Sequence, residues 1–263
     1  MDLGIKGKTV LITASSKGIG KAVAEAFASE KCSVAICSRD KKNLIAAADE
    51  IKKRYGVEPF WCVCDLNRLK DIETTFNEVE KLYGGVDILV NNCGGPAAGV
   101  FNEIDEDKWN AAFQQVLMSA VRFTNLALPK MLIKSWGRII NITSITVKQP
   151  IDNLMLSNTF RAGILGFAKS LSNEVAKHNI TVNNIAPGFT LTNRIYDLAV
   201  HEAKTTGRSH EEILSDMAKH IPMNRLAGPE EIASGVLFLA SQQASYITGN
   251  TIHIDGGWVK GIA

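Results

Sequence analysis

Seven short apolar runs, rich in β-branched residues, alternate along the chain with longer amphipathic stretches. The runs are TVLITA, SVAIC, PFWCVC, VDILVNN, GRIINITS, ITVNNIAP and NTIHIDGG. Strands separated by helices form parallel sheets, because the crossover helix returns the chain to the same edge for the next strand. Right-handed crossovers place those helices on both faces of the sheet. The sequence therefore predicts a doubly wound α/β fold with one seven-stranded parallel sheet.

The whole chain, residues 1–263, is predicted to form a single domain. No linker rich in Pro, Gly or Ser divides it, and 46% hydrophobic residues suffice for one large core. The one change of character is a polar, weakly amphipathic stretch over residues 193–220. We expect one or two small helices there, forming a lid insertion at about residues 190–225. A solvated surface insertion is the alternative interpretation.

The amino-acid composition limits the kinds of binding partner and the cellular location that we expect for this protein. Lys and Arg number 29 against 27 Asp and Glu, so the net charge of +2 predicts no nucleic-acid partner. The five cysteines are an odd number without a preceding signal peptide, which predicts a cytoplasmic protein. No apolar run approaches the roughly 18 residues of a membrane span, so no membrane partner is expected. Cysteine and histidine spacings also predict no metal site.

The segment TASSKGIG, residues 13–20, joins the first strand to the first helix. Small residues let the backbone approach a pyrophosphate, and the free N–H groups and positive dipole end of the helix attract it. A glycine-rich turn alone is weak evidence, but its place between the first strand and first helix of a βαβ unit strengthens the interpretation. The candidate cofactor-binding residues here are Thr13, Ser15, Ser16, Lys17, Gly18, Ile19 and Gly20.

The end of the second strand, CSRD, indicates which dinucleotide binds. In proteins that bind NAD, an acidic residue at this point accepts a hydrogen bond from the ribose 2′-hydroxyl. This chain has Ser38 and Arg39 here instead. A guanidinium group matches the geometry of a 2′-phosphate. NADP is therefore predicted in preference to NAD, the alternative being that Arg39 is an ordinary surface arginine.

With these motifs assembled, the chain resembles the short-chain dehydrogenase/reductase family over nearly its whole length. The family turn Thr-Gly-x-x-x-Gly-x-Gly is TASSKGIG, with Ala14 in place of the first glycine. We expect a negative φ at Ala14, since a methyl group disfavours the left-handed region. Asn-Asn-Ala-Gly is matched by NNCG at 91–94 and Pro-Gly-x-x-x-Thr by PGFTLT at 187–192. The late segment YITGNTIHIDGG is also typical of the family.

The resemblance implies a Rossmann-type fold with a nicotinamide cofactor at the carboxyl ends of the strands. It also implies a small-molecule substrate and a homodimer or homotetramer formed through the long helices. Thr192 is expected at the nicotinamide end of the cofactor. Further cofactor-binding residues implied by the resemblance are Asp65, Leu66, Asn92, Gly94, Pro187 and Gly188.

The family's catalytic set is an asparagine, a serine and a Tyr-x-x-x-Lys pair, and only the serine survives, as Ser144. Ser157 stands at the tyrosine position and Arg161 at the lysine position, while Val116 replaces the asparagine. A phenol beside a cation can be tuned to donate a proton near neutral pH, but an aliphatic hydroxyl cannot. Arg161 keeps the positive charge and can bind both the ribose hydroxyls and a substrate oxygen.

Two functional hypotheses follow. The favoured one is an NADP-dependent oxidoreductase, similar to a 3-oxoacyl reductase, that transfers hydride to or from a small carbonyl, enone or acyl-thioester substrate. Its catalytic candidates are Ser144, Ser157 and Arg161. The alternative is a catalytically impaired NADP-binding homologue that acts as a sensor or structural subunit.

Overall fold

The computed structural model describes residues 2–262, apart from the side chains at positions 197, 201, 204 and 205. Its strands are β1 Thr9–Ile12, β2 Ser33–Ser38, β3 Phe60–Val63, β4 Ile88–Asn91, β5 Gly137–Ile142, β6 Ile180–Pro187 and β7 Thr251–Ile254. They form one sheet in the order β3-β2-β1-β4-β5-β6-β7, and every pairing is parallel. The seven-stranded parallel sheet predicted from the apolar runs is confirmed.

Helices cover both faces of this sheet. They are α1 Gly18–Ser29, α2 Lys41–Tyr55, α3 Leu69–Tyr83, α4 Glu106–Ala112, α5 Ser119–Lys134, α6 Met155–Val175, α7 Asn193–Thr206, α8 His210–Lys219 and α9 Pro229–Ala240. One core cluster lies between the sheet and α1, α2 and α9, and a second lies between the sheet and α3, α5 and α6. Val10 and Ile12 belong to the first cluster and Leu11 to the second. Because both strand faces are buried, the runs are continuously apolar.

The strand order reverses beside β1, whose neighbours are β2 on one side and β4 on the other. The chain leaves β1 toward β2 and later returns from β3 to β4, so the connections diverge at this point. In open parallel sheets a crevice forms at such a switch point, outside the carboxyl ends of the strands. The turn after β1 and the segment after β4 therefore meet at the same edge.

The polar stretch predicted to carry one or two helices forms two, α7 and α8. Gly207, with φ 71°, ends α7 in the left-handed conformation. Ser209 begins α8, where its hydroxyl accepts from the Glu212 amide at 3.1 Å and the Glu212 carboxylate accepts from the Ser209 amide at 3.0 Å. This reciprocal cap stops one helix from continuing into the next.

A π-helical segment, Phe113–Met118, joins α4 to α5, so Glu106–Lys134 runs as one long helix. By length and composition alone, this stretch is apolar enough to cross a membrane. Charged residues such as Arg122 and Lys130 interrupt this stretch, so it does not stand out in the sequence as one continuous apolar run. Phe123, which is fully buried, packs in the core cluster that contains α3 and α6.

Ala14 adopts φ 48°, so the expectation of a negative φ there was wrong. Hydrogen bonds on both sides hold this residue. The Ala14 carbonyl accepts from Asn92 Nδ2 at 3.1 Å, and the Ser15 amide donates to the Cys37 carbonyl at 3.0 Å. These tertiary contacts outweigh the preference of a single methyl group for negative φ.

Replacing Ala14 with glycine is therefore expected to stabilise the fold by about 1 kcal/mol, since glycine adopts the left-handed region without strain. The matched control is Ala26→Gly inside α1, which should destabilise the fold by about 1 kcal/mol through lost helix propensity. Denaturant unfolding of both variants measures the two free energies. Equal destabilisation by the two changes would contradict a strained Ala14.

Candidate active site

The turn after β1 provides backbone donors at the start of α1. Lys17 is the N-cap residue and its side chain makes no capping hydrogen bond, so no side chain competes for the first N–H groups of the helix. Gly18 has φ 56°. At Gly20, an added Cβ would lie 2.5 Å from the Ala14 carbonyl oxygen and 2.7 Å from Asn92 Nδ2. The turn is therefore closed tightly against the end of β4.

Thr13 and Asn92 join the ends of β1 and β4. The Thr13 hydroxyl donates to the Asn92 carbonyl at 2.6 Å and accepts from the Asn92 amide at 2.8 Å. Asn92 Nδ2 donates to the carbonyls of Thr13 and Ala14 at 3.2 and 3.1 Å. The donor groups of both side chains are engaged in hydrogen bonds within the protein, so these side chains hold the shape of the turn. The backbone of the turn and neighbouring residues are then the groups available to a ligand.

The two serines of the turn have different surroundings: Ser15 is buried in the protein, and Ser16 lies beside Ser38 at the end of β2. Ser15 is fully buried; its hydroxyl donates to the Ile12 carbonyl at 2.7 Å and accepts from the Cys37 amide at 3.1 Å. Ser38 donates to the Ser16 hydroxyl at 2.9 Å at the end of β2. Arg39 follows, exposed, and makes no hydrogen bond or ion pair among the described residues. Ser16, Ser38 and Arg39 thus form one polar corner beside the turn.

Asp65 and Leu66 follow β3 on the outer side of that corner. Asp65 Oδ1 accepts from both the amide and the side-chain nitrogen of Asn67, each at 3.1 Å. Leu66 is buried, 7% exposed. The pair combines a carboxylate held in a fixed orientation with an apolar surface at the carboxyl end of β3.

The residues expected after β4 and β6 lie around the same crevice. The Gly94 carbonyl accepts from Gln115 Nε2 at 3.0 Å. Pro187 is buried at the end of β6, and the next amide, that of Gly188, donates to the Ile254 carbonyl at 2.8 Å. Thr192, expected at the nicotinamide end, lies beside Gly18, where its methyl carbon would be 3.3 Å from an added Cβ. Thr192 therefore lies next to the first residue of α1.

The three catalytic candidates come from two elements. Ser144 follows β5 and its hydroxyl accepts from the Thr146 amide at 3.2 Å. Ser157 and Arg161 lie one turn apart on the buried face of α6, with 8% and 7% of their surfaces exposed. Val116, in the π-helical segment, is also buried.

Arg161 points toward the carboxyl end of β5. Its Nη1 donates to the carbonyls of Ile142 and Thr143 at 3.1 and 2.8 Å, and no other nitrogen of this guanidinium makes a hydrogen bond within the described chain. Arg161 and Val116 line a cavity of about 10 Å³, about the volume that one water molecule requires. The Arg161 guanidinium group is therefore positioned beside the carboxyl ends of β4 and β5.

Comparison with known proteins agrees with this architecture. A family model described as enoyl-(acyl carrier protein) reductase matches residues 13–259. The 3-oxoacyl-[acyl-carrier-protein] reductase FabG of Aquifex aeolicus is 37% identical over 257 residues, which cover 98% of this chain and 99% of that protein. The chain belongs to the short-chain dehydrogenase/reductase family.

Two further members share nearly the whole length. The NADPH-dependent reductase BacG of Bacillus subtilis is 32% identical over 256 residues, covering 97% of this chain and 99% of BacG. The crystal structure of L-sorbose reductase from Gluconobacter frateurii, complexed with NADPH and L-sorbose, has a TM-score of 0.96 at 35% identity and covers 100% of both chains. Thus the family resemblance and the Rossmann-type fold are confirmed.

Sequence reasoning missed Arg194, which reaches the site from the first turn of α7. Its Nη1 donates to the Gly95 carbonyl at 2.9 Å and its Nη2 lies 3.4 Å from the Pro96 carbonyl. Burial, and secondly the charge of Arg161, lower the pKa of Arg194. The sequence signal was its place two residues after Thr192 in a short-chain dehydrogenase/reductase motif, at the start of the stretch predicted to form a lid insertion.

The part of the chain that the structure describes contains no group of three or more His, Cys, Asp or Glu side chains placed to hold a metal ion. The polar groups that converge at the crevice are instead hydroxyl groups, backbone amides and guanidinium groups. Such groups stabilise negative charge on phosphate and on oxygen, and this matches the dinucleotide chemistry of the family.

Proposed function

We propose that the protein is an NADP-dependent reductase that transfers hydride between the cofactor and a small carbonyl, enone or acyl-thioester substrate. The observation that carries this function is the cradle at the switch point. Its helix start has no side-chain cap, and the tight approach at Gly20 leaves no room for a Cβ. Among the relatives, one is a 3-oxoacyl reductase and another was solved with NADPH and a sugar.

The polar corner fits the 2′-phosphate of NADP. Ser16 and Ser38 offer hydroxyl groups, and Lys17 and Arg39 are exposed cations beside them. The neighbouring acid, Asp40, is directed toward the start of α2, where it accepts from the Asn43 amide at 3.0 Å. Asp65 and Leu66 would contact the adenine, and Gly94, Pro187, Gly188 and Thr192 would line the rest of the cofactor.

When bound, NADPH supplies the hydride, and the chain's own residues handle the charge that develops on the substrate oxygen. Ser144 and Ser157 can donate hydrogen bonds to that oxygen, while Arg161 adds a fixed positive charge. With Ser-x-x-x-Arg in place of Tyr-x-x-x-Lys, no phenol is present at this position to donate a proton. The site therefore suits acceptors whose charge is delocalised, such as a conjugated enone.

In such a conjugate reduction, hydride adds to the β-carbon and the electron pair moves onto the carbonyl oxygen. Serine hydroxyls and Arg161 stabilise that oxygen, and water supplies the proton that the α-carbon takes up. No side chain needs to titrate during this step. Ordinary carbonyl reduction would instead require a water molecule to protonate the alkoxide.

The lid and the assembly belong to the same proposal. The helices α7 and α8 would act as a lid of the single domain, since Arg194 already connects α7 to the Gly95–Pro96 segment. A homodimer or homotetramer would form through the long helices, where Ile133 of α5 is 83% exposed. A cytoplasmic location is consistent with the five free cysteines.

Replacing Arg39 with alanine is expected to raise the KM for NADPH by about 10- to 100-fold and to leave that for NADH within about threefold. The reason is the loss of a charge-assisted contact to the 2′-phosphate. Steady-state kinetics with both cofactors measure the effect. Arg54→Ala, which removes an exposed guanidinium at the end of α2, serves as the control. An equal change for the two cofactors would contradict the assigned corner.

Ser144→Ala and Arg161→Gln are each expected to lower kcat by about 100-fold or more, because each removes stabilisation of the developing oxyanion. The assay is NADPH oxidation over a panel of ketones, 3-oxoacyl thioesters and enones. Ser170→Ala is the control, because it changes an exposed residue of α6, the helix that also carries Arg161. Full activity in both site variants would refute their assigned roles. Tight NADPH binding without turnover by the unaltered protein would support the sensor or structural-subunit alternative instead.

A further inference from the structure

Two guanidinium groups, from Arg161 and Arg194, face the segment after β4 from different helices. All of their hydrogen bonds go to neutral backbone carbonyls, at the end of β5 for Arg161 and at Gly95 and Pro96 for Arg194. Within the described residues, no carboxylate pairs with either group. Among the side chains that the structure describes, the site thus holds two cations and no paired anion.

Gly95 is shaped for this arrangement. An added Cβ would lie 2.5 and 2.6 Å from the two terminal nitrogens of Arg194, so the guanidinium rests where a side chain would otherwise project. Gly95 does not adopt a positive φ, so its missing side chain is not needed for the backbone conformation. The glycine serves the close approach of Arg194.

Arg161 is buried and Arg194 is exposed, and their like charges repel each other. Arg161 is 7% exposed, and its charge is one of the causes that lower the pKa of Arg194, after burial. A bound anion would remove this repulsion and receive charge-assisted hydrogen bonds. The planar guanidinium matches a carboxylate in particular, because two parallel hydrogen bonds can form between them.

We propose that Arg194, with Arg161 beside it, binds a carboxylate of the substrate, so that the hydride acceptor is a small oxo acid, saturated or conjugated. This inference rests on the proposed reductase function. Because Arg161 lies one helical turn from Ser157, the carboxylate would sit close to the reacting carbonyl. The phosphate of a phosphopantetheine arm is separated from its thioester by a long chain, so such a thioester would not present its anion here.

The test uses matched pairs of 2-oxo, 3-oxo and 4-oxo-2-enoic acids and their methyl esters with NADPH. We expect the unaltered protein to prefer one of the acids over its ester by about 10- to 100-fold in kcat/KM. Arg194→Gln should remove this preference mainly by raising KM for the acid, with the ester changed less than about threefold. Arg194→Lys should retain part of the preference, since it keeps the charge and loses the bidentate geometry.

Lys219→Gln is the control, because it removes one exposed lid charge whose partner among the described side chains is Asp216. Unchanged NADP⁺ affinity in the Arg194 variants would show that the site has not unfolded. Equal use of acids and esters by the unaltered protein, or equal losses on both in Arg194→Gln, would overturn the proposal.

Absence of turnover with every pair would count against the proposed reductase function. A separate binding measurement then tests whether Arg194 recognises a carboxylate. Cinnamate and its methyl ester are titrated calorimetrically into the NADP⁺ complex. Binding of cinnamate that is weakened at least tenfold in Arg194→Gln supports the proposal, and no difference between acid and ester overturns it. Inorganic phosphate that binds as tightly as cinnamate would also overturn the assignment to a carboxylate.

Discussion

The hydrogen bonds between Thr13 and Asn92 are the constraint on which the rest of the site depends. They join β1 to β4 at the point where the strand order reverses, and Asn92 extends the same link to the Ala14 carbonyl. The turn that begins α1 is thereby held against the segment that follows β4. The turn consequently lies near the groups that surround this segment, which include Arg161 and Arg194.

This link separates residues that build the site from residues that remain available to ligands. Ser15 and Asn92 spend their hydrogen bonds on the backbone of β1, β2 and the turn itself. Arg39 and Lys17 remain exposed beside the Ser16 and Ser38 hydroxyls. A motif residue can thus shape the turn through hydrogen bonds within the protein, because it holds the neighbouring backbone groups in place.

The fold was predictable because periodicity and burial depend on local sequence, whereas the details of the site depend on tertiary contacts. The seven apolar runs identify the strands since both faces of a parallel sheet are buried. Ala14 was mispredicted because its φ is set by partners on β2 and β4. Arg194 was missed because it lies in a polar stretch, and its contact with Gly95 depends on how α7 packs in the folded chain.

Arg161 stands where the family motif predicts a lysine, and the shape of its guanidinium group accounts for the contacts it makes. A guanidinium is larger than an ammonium group and has donors in several directions, so Nη1 can bind the carbonyls of Ile142 and Thr143 while other nitrogens stay available. Val116 lines the small cavity beside it and offers no polar group to a water molecule there. A relay of protons through a water molecule serves to reprotonate a general acid after it has given its proton to the substrate. Residue 157 is a serine, which has no phenol to act as that acid. Under the proposed function, such a site would favour substrates whose developing negative charge is delocalised, because fixed positive charge stabilises the anion without a proton donor.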